Sequence, residues 1–132
     1  MSRLYSDEVQ LFDAKATTGV STTTFEASDW KNVVLTVYGA AATATVKIRG
    51  SVQDDVDLTS AASATNRWDY VSFVNAQTGS AVAGDTGQAW AGASTACEIL
   101  VVNVDALANV TLEVTARSAG TITAYIRGFD NQ

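Results

Sequence analysis

Acidic side chains are the main chemical resource of this chain. Asp54, Asp55 and Asp57, with Gln53 beside them, could offer oxygen ligands to calcium. Asp69, Asp85, Glu98, Asp105 and Glu113 could supply the paired carboxylates of a glycoside hydrolase. Neither set has the spacing that its chemistry needs. The aspartate run lacks the twelve-residue loop with its glycine and closing glutamate, and aspartates between strands are commonly solvated turn formers. Calcium at Asp54, Asp55 and Asp57 therefore stays an open alternative. No motif brings two of the other carboxylates together. The sequence contains no histidine, which removes the commonest general base and metal ligand and any Ser-His-Asp triad. Lys15, Lys31 and Lys47 carry no surrounding motif that would make one of them the base of a Ser-Lys pair. The single cysteine, Cys97, leaves no intramolecular disulfide and no Cys-rich zinc site. It opens the apolar run Cys97-Glu98-Ile99-Leu100-Val101-Val102 and reads as a buried, inert thiol. No catalytic, cofactor-binding or metal-binding residue is assigned, and the expectation is a protein without enzymatic activity or cofactor.

Binding chemistry is narrowed in the same way. The net charge is −6, and the eight lysines and arginines are scattered singly. That is the wrong footprint for neutralising phosphates, so no nucleic acid partner is expected. No run approaches the ~18 apolar residues of a membrane span, and the opening MSRLYSDEVQLFDAK has no apolar signal-peptide core. The expectation is synthesis in a cytoplasm, without processing and without a membrane partner. Trp30, Trp68 and Trp90, with Tyr5, Tyr38, Tyr70 and Tyr125, could stack on sugar rings or could fill core and rim positions.

The elements that must position these residues are strands. Threonine, alanine, valine and serine dominate the 132 residues, and β-branched side chains favour a pleated surface. Asn109 to Gly128 reads as a hairpin. Val110, Leu112 and Val114 alternate with polar residues, Arg117-Ser118-Ala119-Gly120 turns, and Ile122, Ala124 and Ile126 alternate again. Asn32 to Gly50 echoes it, since Asn-Val-x-Leu-x-Val opens both stretches and Ile-Arg-Gly closes both. Val33, Leu35 and Val37 form an inward set, with Val34 and Tyr38 on the opposite face. Val20 to Glu26 is a short strand, and Trp68 to Asn75 is a strand with apolar residues on both faces. Glu98 to Val104 is the most apolar strand, with a central place. Ala76 to Ala96, rich in glycine and small residues, reads as a long loop carrying Trp90. The reading is all-β: one antiparallel β-sandwich domain over 20–132, jelly-roll or immunoglobulin-like, with seven to nine strands and a duplicated hairpin. An N-terminal arm over 1–19 precedes it, with an edge strand. Leu4, Tyr5, Leu11 and Phe12 would be costly to leave in water, so the arm either adds that strand to its own sheet or docks on a neighbour. Trp90 either plugs one end of the core or anchors a partner.

Three stretches carry a resemblance: Trp30-Lys31-Asn32-Val33-Val34-Leu35-Thr36-Val37, Ala44-Thr45-Val46-Lys47-Ile48-Arg49-Gly50-Ser51, and Gly120-Thr121-Ile122-Thr123-Ala124-Tyr125-Ile126-Arg127-Gly128. With the Gly/Ala-rich stretch between them, the chain resembles the small β-sandwich virion proteins of tailed bacteriophages, of the head or tail accessory type. The resemblance implies a virion structural protein, foremost a capsid decoration (cement) protein. Its partners would be the major capsid protein or other virion proteins and further copies of itself, with a trimer as one such form, and its location the virion. Leu4, Tyr5, Leu11, Phe12 and Trp90 are the expected partner-binding residues. The alternative is a receptor- or carbohydrate-binding module of a phage tail or fibre, or of a bacterial surface protein.

Overall fold

The computed structural model describes residues 3–131. Among the described residues there are ten strands: β1 (Arg3–Tyr5), β2 (Val9–Lys15), β3 (Gly19–Val20), β4 (Phe25–Glu26), β5 (Asn32–Ser51), β6 (Asp69–Tyr70), β7 (Phe73–Asn75), β8 (Ala81–Val82), β9 (Gln88–Asn103) and β10 (Asn109–Asn131). Every pairing is antiparallel, and the described residues contain no helix. The all-β, antiparallel reading holds, with ten strands in place of seven to nine.

The two expected hairpins are single long strands that pair with each other. β10 follows β5 from Asn109↔Ser51 to Phe129↔Asn32. The small-residue segments read as turns are bulges. Alternation shows this for β5, whose buried residues are odd-numbered from Val33 through Gly39 and even-numbered from Ala42 through Gly50. One extra residue shifts the phase and bends the strand while keeping the same face inward. The echo in the sequence is thereby explained. Each Ile-Arg-Gly lies opposite an Asn-Val-x-Leu, with Ile48 against Leu112 and Gly50 against Val110, then Ile126 against Leu35 and Gly128 against Val33.

The bends lie at one level in all three long strands. Ala41 (φ 46°) marks it in β5, Gly92 and Ala93 (φ 67° and 53°) in β9, and Gly120 (φ 75°) in β10. A Cβ on Gly120 would stand 2.3 Å from the Ala41 carbonyl oxygen, so close approach and positive φ both require glycine there. At these bends the sheet folds over on itself. Gln88 and Glu98 would lie roughly 33 Å apart in a straight strand, yet both accept hydrogen bonds from the Asn75 side-chain amide, at 3.0 and 2.9 Å. The result is two layers from one continuous sheet. Val33, Leu35 and Val37 from one half of β5 and Val46 and Ile48 from the other share a single core.

Residues 3–26 line the free edge of β10. β1 pairs near Asp130, β2 between Ile122 and Ile126, β3 at Glu113–Val114 and β4 at Asn109–Val110. The N-terminal stretch is thus part of the sheet, with Leu11 and Phe12 in the core. Two strand expectations are corrected. Val20 to Glu26 is two short strands, because Ser21 turns inward and its Oγ donates to the Leu11 carbonyl (2.9 Å). Trp68 to Asn75 breaks at Val71-Ser72 into β6, on β5, and β7, on β9. The expected loop also shortens, since Gln88 to Ala96 belongs to β9. Its Ala, Gly and Ser residues hide the strand because little of that segment is buried.

Candidate functional site

Side chains on one surface of each layer fill the core, so each layer also has an outer face, and these faces differ. The outer face formed by the second half of β5 and the first half of β10 carries Lys47, Arg49 and Glu113. The Arg49 guanidinium lies 2.8 Å from the Glu113 carboxylate, and both side chains are mostly buried. Arg49 also donates to the Leu58 carbonyl at 2.7 Å and stacks 3.9 Å from the centre of the Trp68 ring. The Trp68 indole N–H donates to the Ser60 carbonyl (2.8 Å). The Tyr70 hydroxyl donates to Glu113 (2.8 Å), and Lys47 sits over the Tyr70 ring. Partial burial, then the hydrogen bond to the Glu113 anion, holds the Tyr70 phenol above its usual pKa. These contacts fasten the 52–68 excursion over this face, with Leu58 buried beneath it outside the main core.

The aspartates expected in a turn lie in that excursion. The Asp57 carboxylate accepts from the Thr59 N–H (3.0 Å), the Thr59 hydroxyl (2.5 Å) and the Ser60 hydroxyl (2.8 Å). The Thr59 hydroxyl first, then Ser60 and the Thr59 amide, hold its pKa below the usual value. Asp55 is held by the Gln53 amide. The local geometry is that of a side-chain-stabilised turn. Among the described residues no three acidic or cysteine side chains gather as metal ligands.

The opposite outer face has no such cover. Strand register places Val34, Thr36 and Tyr38 of β5 beside Val101, Ile99 and Cys97 of β9. On the other side they meet Arg127, Tyr125 and Thr123 of β10, and Val74 of β7 extends the row from Val101. Tyr38 is 45% exposed, Ile99 44% and Val74 40%. Cys97 is exposed on this face, which corrects the expectation of a buried thiol. The apolar run misled because only its even-numbered members, Leu100 and Val102, turn inward. A shallow depression continues past Val74 and Val101 toward Asp105, Ala106 and Leu107.

The expected partner-binding residues divide. Leu4 and Tyr5 are about half exposed on β1, with Tyr5 near the Phe129 ring and the Arg127 guanidinium. Leu11, Phe12 and Trp90 are core residues. Trp90 is 4% exposed, its ring covers Gly39 and its indole N–H donates to the Ala96 carbonyl at 3.0 Å. It plugs the bend between the layers and presents no anchor on the surface. The bare face is nearly absent from the expected residues. Its one sequence signal was that Val34 and Tyr38 share a face opposite Val33, Leu35 and Val37.

Two solved structures share the fold. The SPBc2 prophage-derived protein YomS superposes with a TM-score of 0.71 over 98% of this chain and 96% of its own, at 12% sequence identity. The PBSX exported protein XepA superposes with a TM-score of 0.70 at 12% identity, over 98% of this chain and 39% of XepA. No family model and no curated protein matches the chain. At this identity the likeness is one of fold.

Proposed function

We propose that the chain is a non-enzymatic structural component of a phage particle, and specifically a capsid decoration protein that stabilises the head lattice. The observation that carries the structural role is the uneven treatment of the two outer faces. One is covered and its polar groups are paired, while the other leaves Tyr38, Ile99 and Val74 in water beside Val34, Val101 and Cys97. Apolar clustering of this kind marks a protein interaction surface. The prophage origin named for YomS, a protein of the same fold and nearly the same extent, supports a phage setting. The partners in this reading are the major capsid protein or other virion proteins, together with further copies of the chain. Pre-folded domains bind across junctions of the shell and stabilise it by mass action.

The test is quantitative mass spectrometry of purified particles from the source that encodes the chain. Hundreds of copies per particle are expected of a decoration protein. About a dozen would move it to the neck, tail or fibre, and none would overturn the particle role.

A further inference from the structure

We propose that the Ser94–Glu98 edge of β9 pairs with the same segment of a second copy, antiparallel and about a two-fold axis through Ala96. This deepens the structural role proposed above and rests on it for its biological setting. The interface itself is a property of the chain.

The argument starts from the direction of backbone groups. The Ala76 N–H donates to the Ile99 carbonyl at 2.9 Å, across the side of β9 that faces away from β5. In an antiparallel strand, residues alternate in the side to which N–H and C=O point. The odd-numbered residues of β9 therefore aim both groups away from β5. β9 pairs with β5 without a shift from Ala96 to Asn103, and the shift between Ala96 and Ser94 puts its extra residue in β5, so Thr95 and Cys97 continue this row of β9. β7 reaches only Leu100 and Val101, and among the described residues no strand lies opposite Thr95 or Cys97. An open groove lined by Ala76, Gln77, Cys97 and Ile99 runs where such a strand would lie.

This edge also lacks the devices that keep edges apart. Exposed edges are usually guarded by charge, proline or a bulge. The segment Ala89 to Cys97 has neither a charged residue nor proline. Its bulge at Gly92 and Ala93 lies before the regular stretch.

A second copy fits because the constraints on the slot are self-complementary. Placing Thr95 opposite Cys97 of the second copy, and the reverse, pairs all four outward N–H groups and carbonyls in one register. Sliding the strands by two residues would demand either the Ile99 carbonyl, which Ala76 already occupies, or the Ala93 N–H, which already donates to the Thr43 hydroxyl. Ala96 then meets its own copy at the close, non-hydrogen-bonded spacing, where a small side chain is needed. Glu98, the one charged residue in the segment, falls opposite Ser94. The free stretch is bounded by the bend at Gly92–Ala93 and by β7. Two-fold symmetry brings the bend of each copy to the β7 end of the other, so β9 leaves the ladder before it reaches β7. A longer straight strand from a foreign protein would collide there.

The test combines sedimentation velocity with amide hydrogen exchange on the intact chain, from about 1 µM to about 100 µM, which brackets the affinity expected of a small interface. The expected result is a monomer-to-dimer shift accompanied by a several-fold slowing of exchange at the Thr95 and Cys97 amides. Cys97→Pro removes an outward N–H at an edge position, where proline is tolerated. It should remain monomeric throughout with an unchanged β-sheet circular dichroism spectrum. If that variant fails to fold, the exchange pattern of the unmodified chain decides alone. A chain that stays monomeric, or that associates with no change at Thr95 and Cys97, overturns the proposal. Protection of these amides only after another particle protein is added also overturns it, because the edge then belongs to a foreign strand. A monomer found in hundreds of copies on particles would refute the edge pairing alone. A dimer absent from particles would refute the particle role alone.

Discussion

The two outer faces of the folded sheet use the same strands and opposite chemistry. Where β5 carries Lys47 and Arg49, the chain spends the 52–68 excursion on covering them, and Arg49, Trp68, Tyr70 and Glu113 satisfy one another. Where β5 carries Val34, Thr36 and Tyr38, nothing among the described residues lies over them. A sheet needs one covered face to fold, and the bend supplies it by turning each layer's inner face onto the other. What lies outside is not constrained by the core. The covered face therefore reports on stability, and the bare face reports on association.

Arg49→Ala should produce the largest effect. It removes the ion pair to Glu113, the bond to Leu58 and the stack on Trp68, and leaves a mostly buried carboxylate without its cation. Loss of one partner from such a pair costs about 3 kcal/mol, which corresponds to an unfolding midpoint lower by roughly 10 °C. A change below about 0.5 kcal/mol would mean that the excursion is held some other way, and the contrast between the faces would lose its basis.

The fold-over is tested next by Asn75→Ala. The Asn75 amide ties Gln88 in one layer to Glu98 in the other, and its carbonyl oxygen accepts the Gln77 N–H at 2.9 Å. Leaving these groups unpaired at a buried position should cost about 2 kcal/mol in denaturant unfolding. Because it lies between the layers, the loss should appear without any change in exchange at the excursion.

Strand content and the inward residues were legible in the sequence because burial on one face writes a period of two, and Val33, Leu35, Val37, Val110, Leu112 and Val114 obey it. The bends were not legible as bends. Arg117-Ser118-Ala119-Gly120 has the composition of a hairpin turn, and small residues with positive φ serve a reversal and a bulge equally well. The phase change between Val37 and Ala42 was the available clue. The bare face was half legible, through Val34 and Tyr38. Its other half comes from β9, whose neighbours are set by long-range pairing, a relation no local pattern encodes. Trp90 shows the same limit, since its partner Gly39 lies fifty-one positions away.

On the bare face the expected effect on stability is small. Tyr38→Thr combined with Ile99→Thr puts a strand-favouring β-branched residue at each position and removes two of its most exposed apolar side chains. Unfolding free energy should change by less than about 0.5 kcal/mol, while retention on particles falls several-fold. Unchanged retention would move the particle contact elsewhere, with Leu4 and Tyr5 on β1 as the next exposed apolar pair.

The smallest effect belongs to the covered face and appears only in acid. The Asp57 carboxylate is held below its ordinary pKa of 3.8 by the Thr59 hydroxyl, then Ser60 and the Thr59 amide. The folded state therefore favours the ionised form, and in that range the unfolded chain binds more protons. The contribution of Asp57 is complete above pH 3.8 and is lost as pH falls from there through the lower folded value. Asp57→Asn should flatten this part of the stability profile, measured by denaturant unfolding across the acid range, with no effect on association. The turn is fully solvated, so the slope should be slight. A steep acid transition that persists in Asp57→Asn would show that the Asp57 turn does not carry the acid sensitivity of the covered face.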